Sequence, residues 1–567
     1  MKITLLLMLS AGFVAVTAAV SLASEEAPEP DAHNVQARAK AFLDLYEADF
    51  ARIDKEFQLA SWAASCSGKE EDYRRAAECE LTLRKYHGDK EAYRVLGDLL
   101  RREKSLDPLT RRALAVAKLT FEENQLPSEL LAPMVQKASD IEKSLNTYRA
   151  KIDGKAYSNN ELLEMLAQEK DAARRRTYWE ALKQVGDVVA PKLIELAKLR
   201  NEAARKLGYA NYWEMRIHLQ EHDPEQLSAL FAELKNLTDS PFNQMKGQLD
   251  AELARRFGAT PAELMPWHYD NPFFQAAPPS EAVNLDEFYR EKKKEEIVEI
   301  GRRFYARIGM PIDAILERSD LFDRPGKDQH AFSKNLDRHG DARILCNLTP
   351  AADEMDTLLH EAGHAAYDYY MDFSLPYNLR DAAHAFTTEG FAMFMGALAK
   401  TPEWIAAHAG ADAKRVDQAA DAIREQRRRE QLIFARWALV MFHFEKGFYE
   451  NPDRDLNALW WECVDRYQGL KRPPARNQAD WASKPHFTMA PVYYHNYMLG
   501  ELFAAQLRHA VEQNVPGEGP FFKRPGIGPF LKEQVFMPGS RWPWPEFVEK
   551  ATGEKLTAKY FADEVKK

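Results

Sequence analysis

The chain has 567 residues, 45% of them hydrophobic, and a formal net charge of -10. That length and apolar content suffice for a large core, or for two lobes sharing one cleft, and argue against disorder. The acidic balance gives no electrostatic reason to expect nucleic acid, and the short basic runs around Lys293 and Arg427 are broken by acids, as on solvated helix faces.

The first element is "MKITLLLMLSAGFVAVTAAVSLAS", with one Lys, an apolar run, and small residues at Ser21 and Ala23. Residues 1–23 therefore read as a secretory signal peptide cut before Ser24; the alternative is a retained membrane anchor, because the apolar run nears spanning length. No Cys near the cut could carry a lipid, and no later stretch is apolar enough to span a bilayer. The expectation is an exported protein, periplasmic or extracellular, with no membrane contact in its mature form. Residues 24–34, acidic and proline-containing, read as a flexible leader. Export permits disulfides among Cys66, Cys79, Cys346 and Cys463. Cys66 and Cys79 are near enough in sequence to close a small loop, but the sequence leaves the pairing open. None of the spacings suits a cysteine-ligated zinc, so a bound metal would need histidines and carboxylates.

From about residue 35 the apolar residues recur at helical spacing, broken at "SLDP" before Leu109, "NQLP" before Ser128 and "PGEGP" from Pro516. The expected fold is mostly α, with no repeat and no linker that splits the mature chain. One exception is "QHAFSKNLDRHGDARILCNLT", two extended runs about "DRHGD", which reads as a β-hairpin. An exposed strand edge there could pair with an extended peptide through main-chain hydrogen bonds.

Directly after the hairpin comes a helix start: Thr349 as capping hydroxyl, Pro350 at the first helical position, and Asp353 and Glu354 near the positive end of the dipole. The helix carries "HEAGH", which puts His360 and His364 four apart on one face and Glu361 one step round. Two such histidines can hold a zinc ion with a base beside it. A second helix ends near Lys400, and its early residue Glu389 is the carboxylate that could complete the set. Two histidines and one carboxylate leave a fourth position open, as in catalytic zinc sites.

The stretch "LLHEAGHAAYDYYMDFSLPYNLRDAAHAFTTEGFAMFMGALAKTPEW" resembles the angiotensin-converting enzyme family of zinc dipeptidyl carboxypeptidases, which are gluzincin peptidases, and suggests an exported divergent member. The likeness continues in "HAFSKNLDRHGDARILC", "WWECVDRYQGLKRPPAR", "SKPHFTMAPVYYHNY" and "SRWPWPEFVEKATGE", and it runs from "NEAARKLGYANYWEM" to the carboxyl end. The resemblance implies one zinc peptidase domain over residues 35–567, a two-lobed helical clamshell around a deep central channel. By the same resemblance His360, His364 and Glu389 bind one zinc, and Glu361 is general base and then proton shuttle. His486 and Tyr497 stabilise the tetrahedral intermediate. Lys484 and Tyr494 hold the substrate's terminal carboxylate, and His330 and Ala331 lie along the bound peptide.

Four positions depart from the family pattern. Tyr269, in "MPWHYDNPFFQ", stands where a third carboxylate-binding residue is a glutamine. Val464 and Asn496 stand where arginines bind activating chloride, so no chloride dependence is expected. Met393 replaces an aspartate that supports the zinc ligands. The reading that follows is release of C-terminal dipeptides from oligopeptides. Its rivals are an oligoendopeptidase of the thimet oligopeptidase type and a non-catalytic peptide-binding protein. The sequence sets neither the substrate's side chains nor the oligomeric state.

Overall fold

A computed structural model describes residues 32–278 and 282–566. Residues 1–23, read as a signal peptide, lie outside the described residues, as does most of the leader. The first described helix, Ala32–Ser67, begins within the last three residues of that leader.

Among the described residues the fold is mostly α, with 21 α-helices and two small antiparallel hairpins. The breaks read from the sequence fall at helix boundaries. Asp107 caps the helix Pro108–Glu123 by accepting from the backbone N–H groups of Leu109 and Thr110, with Pro108 opening the helix. Pro127 precedes the helix Ser128–Thr147, and the helix His495–Asn514 stops just before Pro516. All four cysteines are free thiols. No helix among the described residues is long and apolar enough to cross a membrane.

The chain divides into two compact units. The first comprises the residues up to Gln125, Leu285–Val416 and Gln506–Leu556. Its helix Ala32–Ser67 lays Val35, Ala39, Phe42, Tyr46 and Phe50 along one face, the three-and-four spacing of an amphipathic helix. That stripe packs with Leu96, Leu99, Leu114 and Phe121, and with Leu375, Tyr377 and Leu379 from a later turn of the same unit. The expected hairpin is present here. Strand Phe332–Asn335 pairs antiparallel with strand Ala342–Leu345, and Phe332 lies opposite Leu345. A parallel bridge from Asp320 to Leu345 covers the outer edge of the second strand, and among the described residues no strand pairs with the other edge of the first.

The second unit comprises Leu126–Asn284, Asp417–Ala505 and the residues from Thr557. Helices Ala172–Lys206, Pro224–Phe257 and Leu456–Gln468 contribute Trp179, Phe231 and Trp460 to its buried aromatic residues, which also include Trp437, Phe444 and Trp481. A second hairpin, Ala150–Ile152 with Lys155–Tyr157, was not anticipated from the sequence. Its turn is Asp153-Gly154, both with positive φ, and the Asp-Gly pair is the local signal that could have revealed it.

Candidate metal centre

The motif helix spans Ala352–Tyr369, and it starts later than the sequence suggested. Thr349 is not its cap. Ala351 occupies the cap position without a side-chain bond, and the N–H of Ala352 is instead taken by Asp286 Oδ1 at 2.9 Å. A carboxylate brought from outside the helix thus does the work assigned to the local hydroxyl, and it suits the positive helix end. The helix Ala385–Gly396 carries Glu389 and packs closely against the motif helix. A Cβ on Gly363 would lie 3.1 Å from Ala392 Cα, so the missing side chain allows this approach.

The three expected ligands converge. His360 Nε2 and His364 Nε2 are 3.2 Å apart. Glu389 Oε2 stands 3.7 Å from the first and 3.8 Å from the second. One ligand atom from each residue fits within 4.8 Å. Donors about 2.0–2.1 Å from a tetrahedral zinc would be separated by roughly 3.4 Å, so the set fits a single ion of that kind. His364 Nδ1 lies 2.7 Å from Thr388 Oγ1. A proton on Nδ1 donated to that hydroxyl leaves the Nε2 lone pair for a metal. Thr388, next to Glu389, was not singled out in the sequence, where nothing local marks it.

Glu361 is buried, at 8% exposure, and lines the same cavity of about 340 Å³ as the three ligands. Burial, and then the charge of Glu389, push its carboxyl up to about 8, while hydrogen bonding by the Ser333 backbone N–H acts the other way. Burial also raises Glu389, to about 7, and pulls both imidazoles down. A divalent cation among these groups favours ionised carboxylates and neutral imidazoles, and so reverses the cost of gathering them. Ala331 lines the cavity from the hairpin, together with Asp368 and Asp381. His330 points elsewhere: its side chain is 95% exposed, near Asp328.

In the second unit the structure gathers four more of the expected residues. The His486 and Tyr494 ring centroids are 5.0 Å apart, and those of Tyr494 and Tyr497 are 5.3 Å apart. Lys484 Nζ lies 5.5 Å from the Tyr494 ring and 5.2 Å from Trp437. Burial brings its ammonium down to about 8. His486 falls to about 4, through burial first and the Lys484 charge second. Lys484 donates to Gln275 Oε1 at 2.6 Å. Tyr269 sits apart from this contact: its hydroxyl donates to Asp250 at 2.8 Å and accepts from Lys246 at 2.9 Å. The structure therefore brings Gln275, rather than Tyr269, against Lys484. The signal was available, since Gln275 is the glutamine that ends "MPWHYDNPFFQ".

The loop between His486 and Tyr494 is held by buried polar side chains. Arg200 donates to the carbonyls of Phe487 and Thr488, each at 2.9 Å. Val492 has φ 54°, a left-handed conformation costly for a β-branched residue. Its N–H reaches Glu445 Oε1 at 2.8 Å, and its carbonyl accepts from Gln220 at 2.9 Å. Asn496 is fully buried and donates to Gln220 Oε1 at 2.7 Å, while Val464 is buried among aromatic residues.

Over residues 33–562 the sequence matches the profile of a family described as Angiotensin-converting enzyme. Among curated relatives, the angiotensin-converting enzyme of Mesocricetus auratus is 22% identical over 559 residues, covering 91% of this chain and 42% of the relative. That of Rattus norvegicus is 21% identical over 560 residues, with the same two shares of 91% and 42%. Carboxypeptidase 1 of Bacillus subtilis is 25% identical over 305 residues, covering 49% of this chain and 57% of that protein. The chain thus spans under half the length of these two mammalian enzymes. The profile match nonetheless extends over nearly the whole sequence and includes the residues of both clusters. The chain belongs to the angiotensin-converting enzyme family.

Proposed function

We propose that the protein is a zinc peptidase that hydrolyses oligopeptides and releases dipeptides from their carboxyl ends. The observation that carries this reading is the convergence of His360, His364 and Glu389 beside buried Glu361 in one open cavity. Two imidazoles and one carboxylate would hold an ion there. When bound, zinc supplies Lewis acidity, polarising the scissile carbonyl and lowering the pKa of water to about 7.

This chain's own residues do the rest. Glu361 takes the proton of the attacking water as its oxygen bonds to the carbonyl carbon. It then delivers that proton to the amide nitrogen as the C–N bond breaks, so a carboxylic acid and a free amine leave. His486 and Tyr497 donate to the developing oxyanion. Lys484, with Tyr494 and Gln275, holds the terminal carboxylate. The strand edge at Ala331 pairs with the peptide backbone without reading its side chains. Residues 1–23 direct export, so the substrates are periplasmic or extracellular peptides.

The test is mass spectrometry of products from a peptide library, with and without a chelator. Dipeptides from free carboxyl ends, abolished by chelation and restored by zinc, support the proposal. Internal fragments would replace it with an oligoendopeptidase, and single residues with an ordinary carboxypeptidase, as the Bacillus subtilis relative is named. No cleavage at all would leave a peptide-binding protein.

A further inference from the structure

The two imidazoles of the metal set are supported differently. His364 has the Thr388 hydroxyl at Nδ1. His360 belongs to the same helix, where side chains lean back over the preceding turn, and the residue one turn back is Asp356. Met393, one turn past Glu389 on the neighbouring helix, offers only a thioether, a weak acceptor.

Asp356 is built into its place from two sides. Its Oδ1 occupies room that exists only because residue 396 is glycine: a Cβ there would lie 2.4 Å from Asp356 Oδ1 and 3.1 Å from His360 Cβ. Its Oδ2 is held by Lys400 Nζ at 2.8 Å, and Lys400 also pairs with Asp353 at 2.7 Å. Asp356 and Lys400 are 28% and 25% exposed, so the pair is only partly screened by water.

We infer that Asp356 is a positioning residue for the metal: with zinc on Nε2 of His360, its carboxylate accepts the Nδ1 proton, while Gly396 and Lys400 keep it there. This rests on the metal reading given above. A carboxylate behind a ligating imidazole fixes the tautomer and raises the basicity of the ligand, and losing one costs about 10- to 100-fold in metal affinity. The competing account is a plain ion pair that ties the motif helix to the turn Ala397–Lys400.

The experiment titrates the metal-free protein with zinc against a chromophoric chelator of known affinity, and records its melting temperature in parallel. Asp356→Asn keeps the shape and removes the charge, and is expected to weaken zinc binding about 10- to 100-fold. Lys400→Met leaves the Asp356 charge and the space beside His360 and releases only Oδ2 of that carboxylate, and is expected to weaken binding in the same direction; it carries the test if the first variant does not fold. The double variant is expected to lose little more than Asp356→Asn alone, because both act through one carboxylate. Wild-type zinc affinity in Asp356→Asn, even with a lowered melting temperature, would overturn the inference and leave the ion pair. Independent, additive losses would overturn it too. A wild-type protein that binds no zinc would instead sink the metal reading itself.

Discussion

Glu361 lies one residue from His360 but serves a different purpose, because its carboxylate shares the cavity of the ligand set without belonging to it. Glu361→Gln preserves size and hydrogen bonding and removes only the proton acceptor. Zinc content by atomic absorption should be unchanged while kcat falls by about 10²–10⁴, the usual worth of a general base. Full activity in that variant would refute its role. Lys484 gives the second prediction. Truncating one partner of a desolvated charge pair costs roughly 2–5 kcal/mol. Lys484→Ala should therefore lower kcat/KM for free-acid peptides by at least ~30-fold and leave the poor rate for their amides nearly unchanged. Equal losses on acid and amide would show that Lys484 does not read the carboxylate. The same side chain predicts a pH response. Burial lowers its pKa to about 8, so the ammonium is charged below that value and loses its proton as pH rises through it. KM for free-acid peptides should climb between pH 7 and pH 9, and KM for amides should not follow.

At the scale of elements, the two ligand-bearing helices owe their register to contacts outside themselves. Tyr305 donates to the carbonyl of Leu359 at 2.6 Å, just ahead of His360, and Asp286 takes the first free N–H of the motif helix. Replacing a cap of this kind costs about 1 kcal/mol. In Asp286→Ala, amide hydrogen exchange over the first turn of the helix should quicken by about fivefold, the equivalent of that cost, while exchange in the helix Pro224–Phe257 stays as it was. Unchanged exchange in the first turn would return the cap to some other group. The hairpin is asymmetric in a useful way. Asp320 closes the edge at Leu345, while the strand beginning at Phe332, next to cavity-lining Ala331, turns its other edge to the cavity, where the Ser333 N–H already meets Glu361.

At the scale of the whole molecule, the prediction concerns salt. Asn496 spends its amide on Gln220, and Val464 has no polar group, so neither can offer an anion the charge of an arginine. Rates in chloride and in acetate at matched ionic strength should agree closely. A large chloride-specific rise would mean that an anion is held by other residues. Export belongs to this scale as well. Amino-terminal sequencing of the protein recovered from a secreting host should begin at Ser24, and an intact Met1 would favour the anchor.

Chemistry that is local along the chain was legible in the residues alone. His360 and His364 are four apart on a helix, so their shared face follows from helical geometry. Proline and capping residues set the helix breaks at Pro108 and Pro127, and the two extended runs about "DRHGD" made the hairpin legible. The ordered blocks carried the family likeness and with it Glu389, His486 and Tyr497. Contacts between residues far apart in sequence emerged only from the folded chain. Thr388 meets His364 across 24 residues, Asp286 caps Ala352 across 66, and Gln275 meets Lys484 across 209. Asp356 meets the space left by Gly396 only because two helices pack at one particular register. A threonine, an aspartate or a glutamine looks the same in sequence whether it faces solvent or a ligand. Packing of the apolar faces chooses between those outcomes, since it fixes which turns meet and which polar groups must find partners out of water.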